Sequence, residues 1–131
     1  MTMTDRGSRV PFIVRWPGTV ESGTQCDDLV ELADFLPTFL EITSAPQPMQ
    51  RVHGQSFLPQ LRGEHAPSKE WVHVEYKNER HIRTKNWIYT DKGTLTKVNK
   101  LGHPENDPEE QNDQTAVRDE MRKIFASVDR T

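Results

Sequence analysis

Five histidines stand in the 131 residues, at positions 53, 65, 73, 81 and 103. The group with the best spacing for chemistry is His73-Val74-Glu75, followed after a short turn by His81. Residues i and i+2 of a strand project to one face, and opposed residues of paired strands lie about 4.5–5.5 Å apart at Cβ. Pairing WVHVEY (71–76) with RHIRT (80–84) brings His73, Glu75 and His81 within reach of one cation. Two imidazoles and a carboxylate suit Zn²⁺ or Mn²⁺ and leave a position for water. Such an ion lowers the water's pKa towards 7 and opens a route to ester hydrolysis. The set depends on register, because a one-residue slip sends His81 to the other face. The plainer reading makes the three residues part of a surface or an interface, and Trp71 on the same face fits it.

Other reactive residue types lack a supporting pattern. Ser56 lies in GQSF rather than in the G-x-S-x-G elbow of nucleophilic hydrolases. Cys26 is the single cysteine, so it forms neither an internal disulfide nor a CxxC metal site, and no base is placed beside it. Asp27-Asp28 and Glu109-Glu110 read as solvated loop carboxylates. Arg80, Arg83 and Lys85 have the charge to hold a sulfate or phosphate anion, but such residues are more often ordinary surface charge. No residue is assigned a catalytic role, and no cofactor is expected unless the Zn²⁺ or Mn²⁺ site forms.

The elements that position these residues follow from periodicity. WVHVEY, RHIRT, WIYT and TLTKVN alternate with turn-forming residues at Lys77-Asn78-Glu79, Lys85-Asn86 and Asp91-Lys92-Gly93, which predicts a four-stranded antiparallel meander. A closing helix is predicted over about Thr115–Val128, with Val117, Met121, Ile124, Phe125 and Val128 on one stripe. Upstream, Val10, Phe12, Ile13, Val14 and Trp16 read as a strand buried on both faces and closed by Pro17-Gly18. A helix starting at the N-cap Asp34 accommodates Pro37 in its first turn. Residues 29–32 form a short extended piece before it. Residues 44–69 carry Pro46, Pro48, Pro59 and Pro67 and read as a connector, with one helical turn in SFLPQLRG.

The totals describe a thin core. Hydrophobic residues make up 33% of the chain, and the mean hydropathy is −0.82. Net charge is −3, and no basic stripe marks a nucleic-acid partner. No run approaches the roughly 20 apolar residues of a membrane span, and the N-terminus lacks the apolar segment of a signal peptide. Residues 1–7 (MTMTDRG) read as a leader.

The order of the segments GSRVPFIVRWPG, DFLPTFLEI, HGQSFLPQLRG, WVHVEY, RHIRTKNWIYT and PENDPEEQND resembles the C-terminal third of a formylglycine-dependent sulfatase, of the alkaline-phosphatase-like superfamily. The resemblance runs from about Gly7 to Asn112. It implies a late strand of a large mixed sheet at Val10–Trp16, followed by a small subdomain with one helix on four antiparallel strands. The catalytic residues of that family do not carry over. Cys26 in QCDDL does not match the CxPSR-like motif that supplies formylglycine, and the calcium-ligand and active-site Lys and His stretches fall outside the matching region. The chain also departs from the pattern at Thr43-Ser44, where a glycine helix cap is usual. Pro46 is then expected to end that helix.

These observations predict an α+β chain: a leader (1–7), a strand-helix-loop remnant of a sulfatase main domain (8–69), and an antiparallel-sheet subdomain with a terminal helix (70–131). The expected role is structural, in a truncated sulfatase-like chain. The alternatives are a small metal-dependent hydrolase of phosphate or sulfate esters using His73, Glu75 and His81, or an interaction module. An uncovered Val10–Trp16 strand predicts a homo-oligomer, specifically a homodimer, with strand exchange through 44–69.

Overall fold

The computed structural model describes residues 8–99, 103–104 and 114–128. The chain divides into two compact units, one holding residues up to Pro11 and from Glu70 onward, the other Phe12–Lys69.

The first unit is the meander. Strands β1 (Trp71–Tyr76), β2 (Glu79–Thr84), β3 (Trp87–Thr90) and β4 (Leu95–Lys97) lie in the order β1-β2-β3-β4, each antiparallel to the next. Turn chemistry fixes the register. Thr84 Oγ1 accepts from the backbone N–H groups of Asn86 and Trp87, at 3.3 and 3.0 Å. Gly93 takes φ +80 in the turn between β3 and β4, where Thr90 N–H donates to Thr94 O at 2.9 Å. The last strand is shorter than the sequence predicts, but Val98 N–H still donates to Asn86 O and Val98 bridges Pro104.

Helix α3 (Thr115–Val128) lies on the sheet face that carries Ile82, Tyr89 and Leu95. Its Met121 and Phe125 complete that core, with Trp71, Trp87, Val117, Ile124 and Val128 packed around it. The helix is also clamped by polar bonds. Arg118 donates to Gly93 O at 2.8 Å and Arg122 donates to the Tyr89 hydroxyl at 3.2 Å.

The second unit holds helix α1 (Phe35–Thr43), entered by a 3₁₀ turn at Leu32–Asp34, and the short α2 (Leu58–Leu61). Phe12, Phe35 and Phe57 meet edge to face with centroids 5.1–5.5 Å apart. Pro37 sits in the first turn of α1, as expected.

Three local expectations are corrected. Residues 9–16 form no strand and pair with no other strand among the described residues, because no neighbouring segment offers a ladder there. Val10 and Ile13 are exposed, at 67% and 90%. Helix α1 ends at Ser44, which takes the left-handed conformation (φ 53) while Ala45 N–H returns to Leu40 O, so termination does not wait for Pro46. Asp34 does not cap α1 with its side chain, since the 3₁₀ turn already places it in helical geometry.

Candidate functional site

The register of β1 on β2 decides the fate of the histidine-carboxylate group. His73 stands opposite Ile82 and Val74 opposite His81. Opposed residues share a face, so His73 and Glu75 point to the α3 side and His81 to the other. The structure therefore brings His73 and Glu75 together and leaves His81 apart from them. Among the described residues, no group of three or more His, Cys, Asp or Glu side chains is arranged to hold a metal ion. His73 packs edge-on against Phe125 with centroids 6.3 Å apart, and the Arg80 guanidinium lies over the same ring at 5.6 Å.

The remaining candidates are dispersed. Cys26, His53, His65 and His103 are exposed. Ser56 Oγ accepts from Leu58 N–H at 3.2 Å, a local turn contact. Arg80 and Arg83 point to opposite faces of β2, and Lys85 lies in the turn beyond them. Glu109 and Glu110 lie outside the described residues.

The most concentrated polar group is one that the sequence did not suggest. Asp34 is 2% exposed and its carboxylate accepts from three donors. Oδ1 takes Gln55 N–H at 2.8 Å and Lys69 Nζ at 2.6 Å, and Oδ2 takes Glu31 N–H at 2.9 Å. Lys69 Nζ also donates to Glu31 Oε1. One turn on, buried Thr38 donates to Asp34 O at 2.6 Å and accepts from Phe57 N–H at 3.1 Å. Three segments distant in sequence are thus tied at one carboxylate. The partners are 21 and 35 residues from Asp34 in sequence, so no short motif could have revealed them. Beside the carboxylate lies a hollow lined by Asp28, Gln55, Ser56, Gln60 and Lys69, with room for about a single water molecule. That space admits no substrate, so the carboxylate, already held by three donors, has no room beside it to act on one as a general base.

The family described as N-sulphoglucosamine sulphohydrolase, C-terminal, matches residues 1–130. The chain belongs to this sulfatase family. An ulvan-active sulfatase of Formosa agariphila is 36% identical over 78 residues, which is 60% of this chain and 16% of that protein. Human arylsulfatase D is 32% identical over 93 residues, 70% of this chain and 16% of its own length. The N-acetylglucosamine-6-O-sulfatase of Bacteroides thetaiotaomicron aligns over 97% of this chain and 23% of itself, at 27% identity. Among solved structures, a 2-O GAG sulfatase superposes with a TM-score of 0.52 at 22% identity, covering 72% of this chain and 23% of the other. That likeness establishes the fold. The chain spans between about a sixth and a quarter of the length of these relatives. None of its described helices is long and apolar enough to cross a membrane.

Proposed function

We propose that this chain acts as the packing subdomain of a sulfatase fold and carries no sulfate-ester chemistry of its own. One observation supports this reading above the others: the polar groups best suited to chemistry are consumed by structure. Asp34 has three donors on its carboxylate, and His73 is set against Phe125 with His81 on the opposite face. The sequence adds that Cys26 lies outside any formylglycine motif. Hydrolysis of a sulfate ester, the activity in the relatives' names, then depends on residues that correspond to the rest of their length.

The test is turnover of aryl sulfate and phosphate esters by the purified chain, with metal analysis of the same sample. No turnover above a mock purification, and no stoichiometric zinc or manganese, is the expected result. Turnover that a chelator abolishes and His73→Ala removes would establish the metal-dependent hydrolase instead.

A second reading, an interaction module, is favoured by the exposed apolar side chains. Ile13, Leu32, Leu36 and Phe39 are 90%, 82%, 52% and 58% exposed. Large apolar surfaces of this kind are uncommon on solitary soluble chains. Self-association, with or without exchange of the 9–16 segment, belongs to this reading and is measured by light scattering. A mass equal to the monomer at every concentration removes it.

A further inference from the structure

Backbone bonding shows which way the polar groups of β1 point. Arg80 O accepts from Asp91 N–H at 3.0 Å, and Arg80 N–H donates to Asp91 Oδ2 at 3.2 Å. The backbone of Arg80 therefore faces the β3 side of β2. Alternation along the strand turns the polar groups of Glu79, His81 and Arg83 towards β1, where their partners are Tyr76, Val74 and Val72. The N–H and C=O groups of Trp71, His73 and Glu75 consequently project from the opposite edge. Among the described residues no strand pairs with that edge. It also lacks the usual protections, having no proline, no lysine and no bulge between residues 71 and 76.

The residue order on this edge is self-complementary in one register. Two copies related by a twofold axis pair outward groups with outward groups when the axis passes through a residue. Centred on His73, the pairing opposes two imidazoles. Centred on Glu75, it opposes two carboxylates, which is destabilising. Centred on Val74, it sets His73 opposite the partner's Glu75 twice over, Val72 opposite the partner's Tyr76 twice over, and the two valines together. Hydrogen-bonding polar pairs and aromatic–β-branched pairs are among those that stabilise antiparallel strands.

We infer that the outer edge of β1 is a homodimer interface, pairing antiparallel about Val74 to make one eight-stranded sheet. This inference does not depend on whether the chain is an enzyme.

Light scattering on the full chain is expected to give twice the 15.2 kDa monomer mass at micromolar concentration. Glu75→Pro removes an outward-facing N–H and leaves the β1–β2 ladder intact. Glu75→Lys keeps the strand and reverses the charge opposite His73. Both variants are expected to return to the monomer mass with an unchanged far-UV spectrum. In a Cys26→Ser background, Val74→Cys is expected to form an intermolecular disulfide on air oxidation and Tyr76→Cys is not, because only residue 74 meets its own copy. Should Glu75→Pro fail to fold, Glu75→Lys and the cross-linking pair decide. A wild-type chain that stays monomeric overturns the inference. So does a dimer that survives Glu75→Lys, or one that cross-links equally through residue 76.

Discussion

Lys69 Nζ stands 2.6 Å from Asp34 Oδ1, joining the end of the connector to the start of α1 across 35 positions of sequence. The Lys69 side chain is 16% exposed and that of Asp34 2%. In such a setting the pair gains little over a well-packed apolar substitute, but removing one partner strands the other. Lys69→Met and Asp34→Ala are each expected to destabilise the chain by about 3 kcal/mol. The double variant should cost clearly less than the sum of the two. Urea unfolding of all four proteins measures this, and simple additivity would show that the two groups act independently.

A second expectation concerns Gly54, whose backbone φ is unremarkable. A Cβ added there would lie 2.0 Å from Ala33 O and 2.7 Å from Asp34 N. Backbone atoms cannot swing aside as a side chain can, so Gly54→Ala should cost about 3 kcal/mol by overpacking. Gly23→Ala is the control. Its Cβ would meet nothing within 4 Å, and only its φ of +79 is unfavourable, worth about 1–2 kcal/mol. Thermal unfolding of both variants orders the two effects.

In the β1–β2 turn the reverse change should help. Lys77 takes φ 56 at a hairpin position where glycine is ordinarily favoured. Lys77→Gly is expected to stabilise the sheet unit by about 1 kcal/mol, since the left-handed conformation is costly for a residue with a Cβ. A melting temperature unchanged or lowered would show that the Lys77 side chain, which lies 5.4 Å from the Tyr76 ring centroid, matters more than the backbone.

Phe125 is one of two buried α3 residues, with Met121, that pack on the sheet. Its ring meets Tyr89 at 6.0 Å and His73 at 6.3 Å and carries the Arg80 guanidinium over its face. Phe125→Ala should cost about 3–5 kcal/mol, as cavity-forming changes at buried aromatics do. Amide exchange is expected to quicken first in Thr115–Val128. Uniform quickening throughout the chain would mean that helix and sheet unfold only together.

Much of the architecture was legible in the sequence because it depends on neighbours in sequence. Alternation in WVHVEY and WIYT, with turn residues between the apolar runs, gave β1 and β3 their bounds. The stripe from Val117 to Val128 likewise gave α3 its limits. These features follow from local periodicity and steric preference, which a chain carries wherever it is placed. The segment 9–16 failed for the complementary reason. Its residues have strand character, but a strand exists only where another lies beside it, and composition cannot say whether one does.

The candidate site divides in the same way. The sequence by itself determined which residue types were present, that they sat two apart on β1, and that no formylglycine motif accompanied them. The tertiary structure decided that Val74, and not His73, stands opposite His81, which separates the three proposed ligands across the sheet. It alone brought Gln55 and Lys69 to the carboxylate of Asp34. Register turns on a displacement of one residue, and the Asp34 cluster on the closure of loops up to 35 residues long. The register follows from the Lys77-Asn78 turn, which leaves Glu79 in β2 opposite Tyr76, whereas the Asp34 cluster depends on packing that no short stretch of sequence contains.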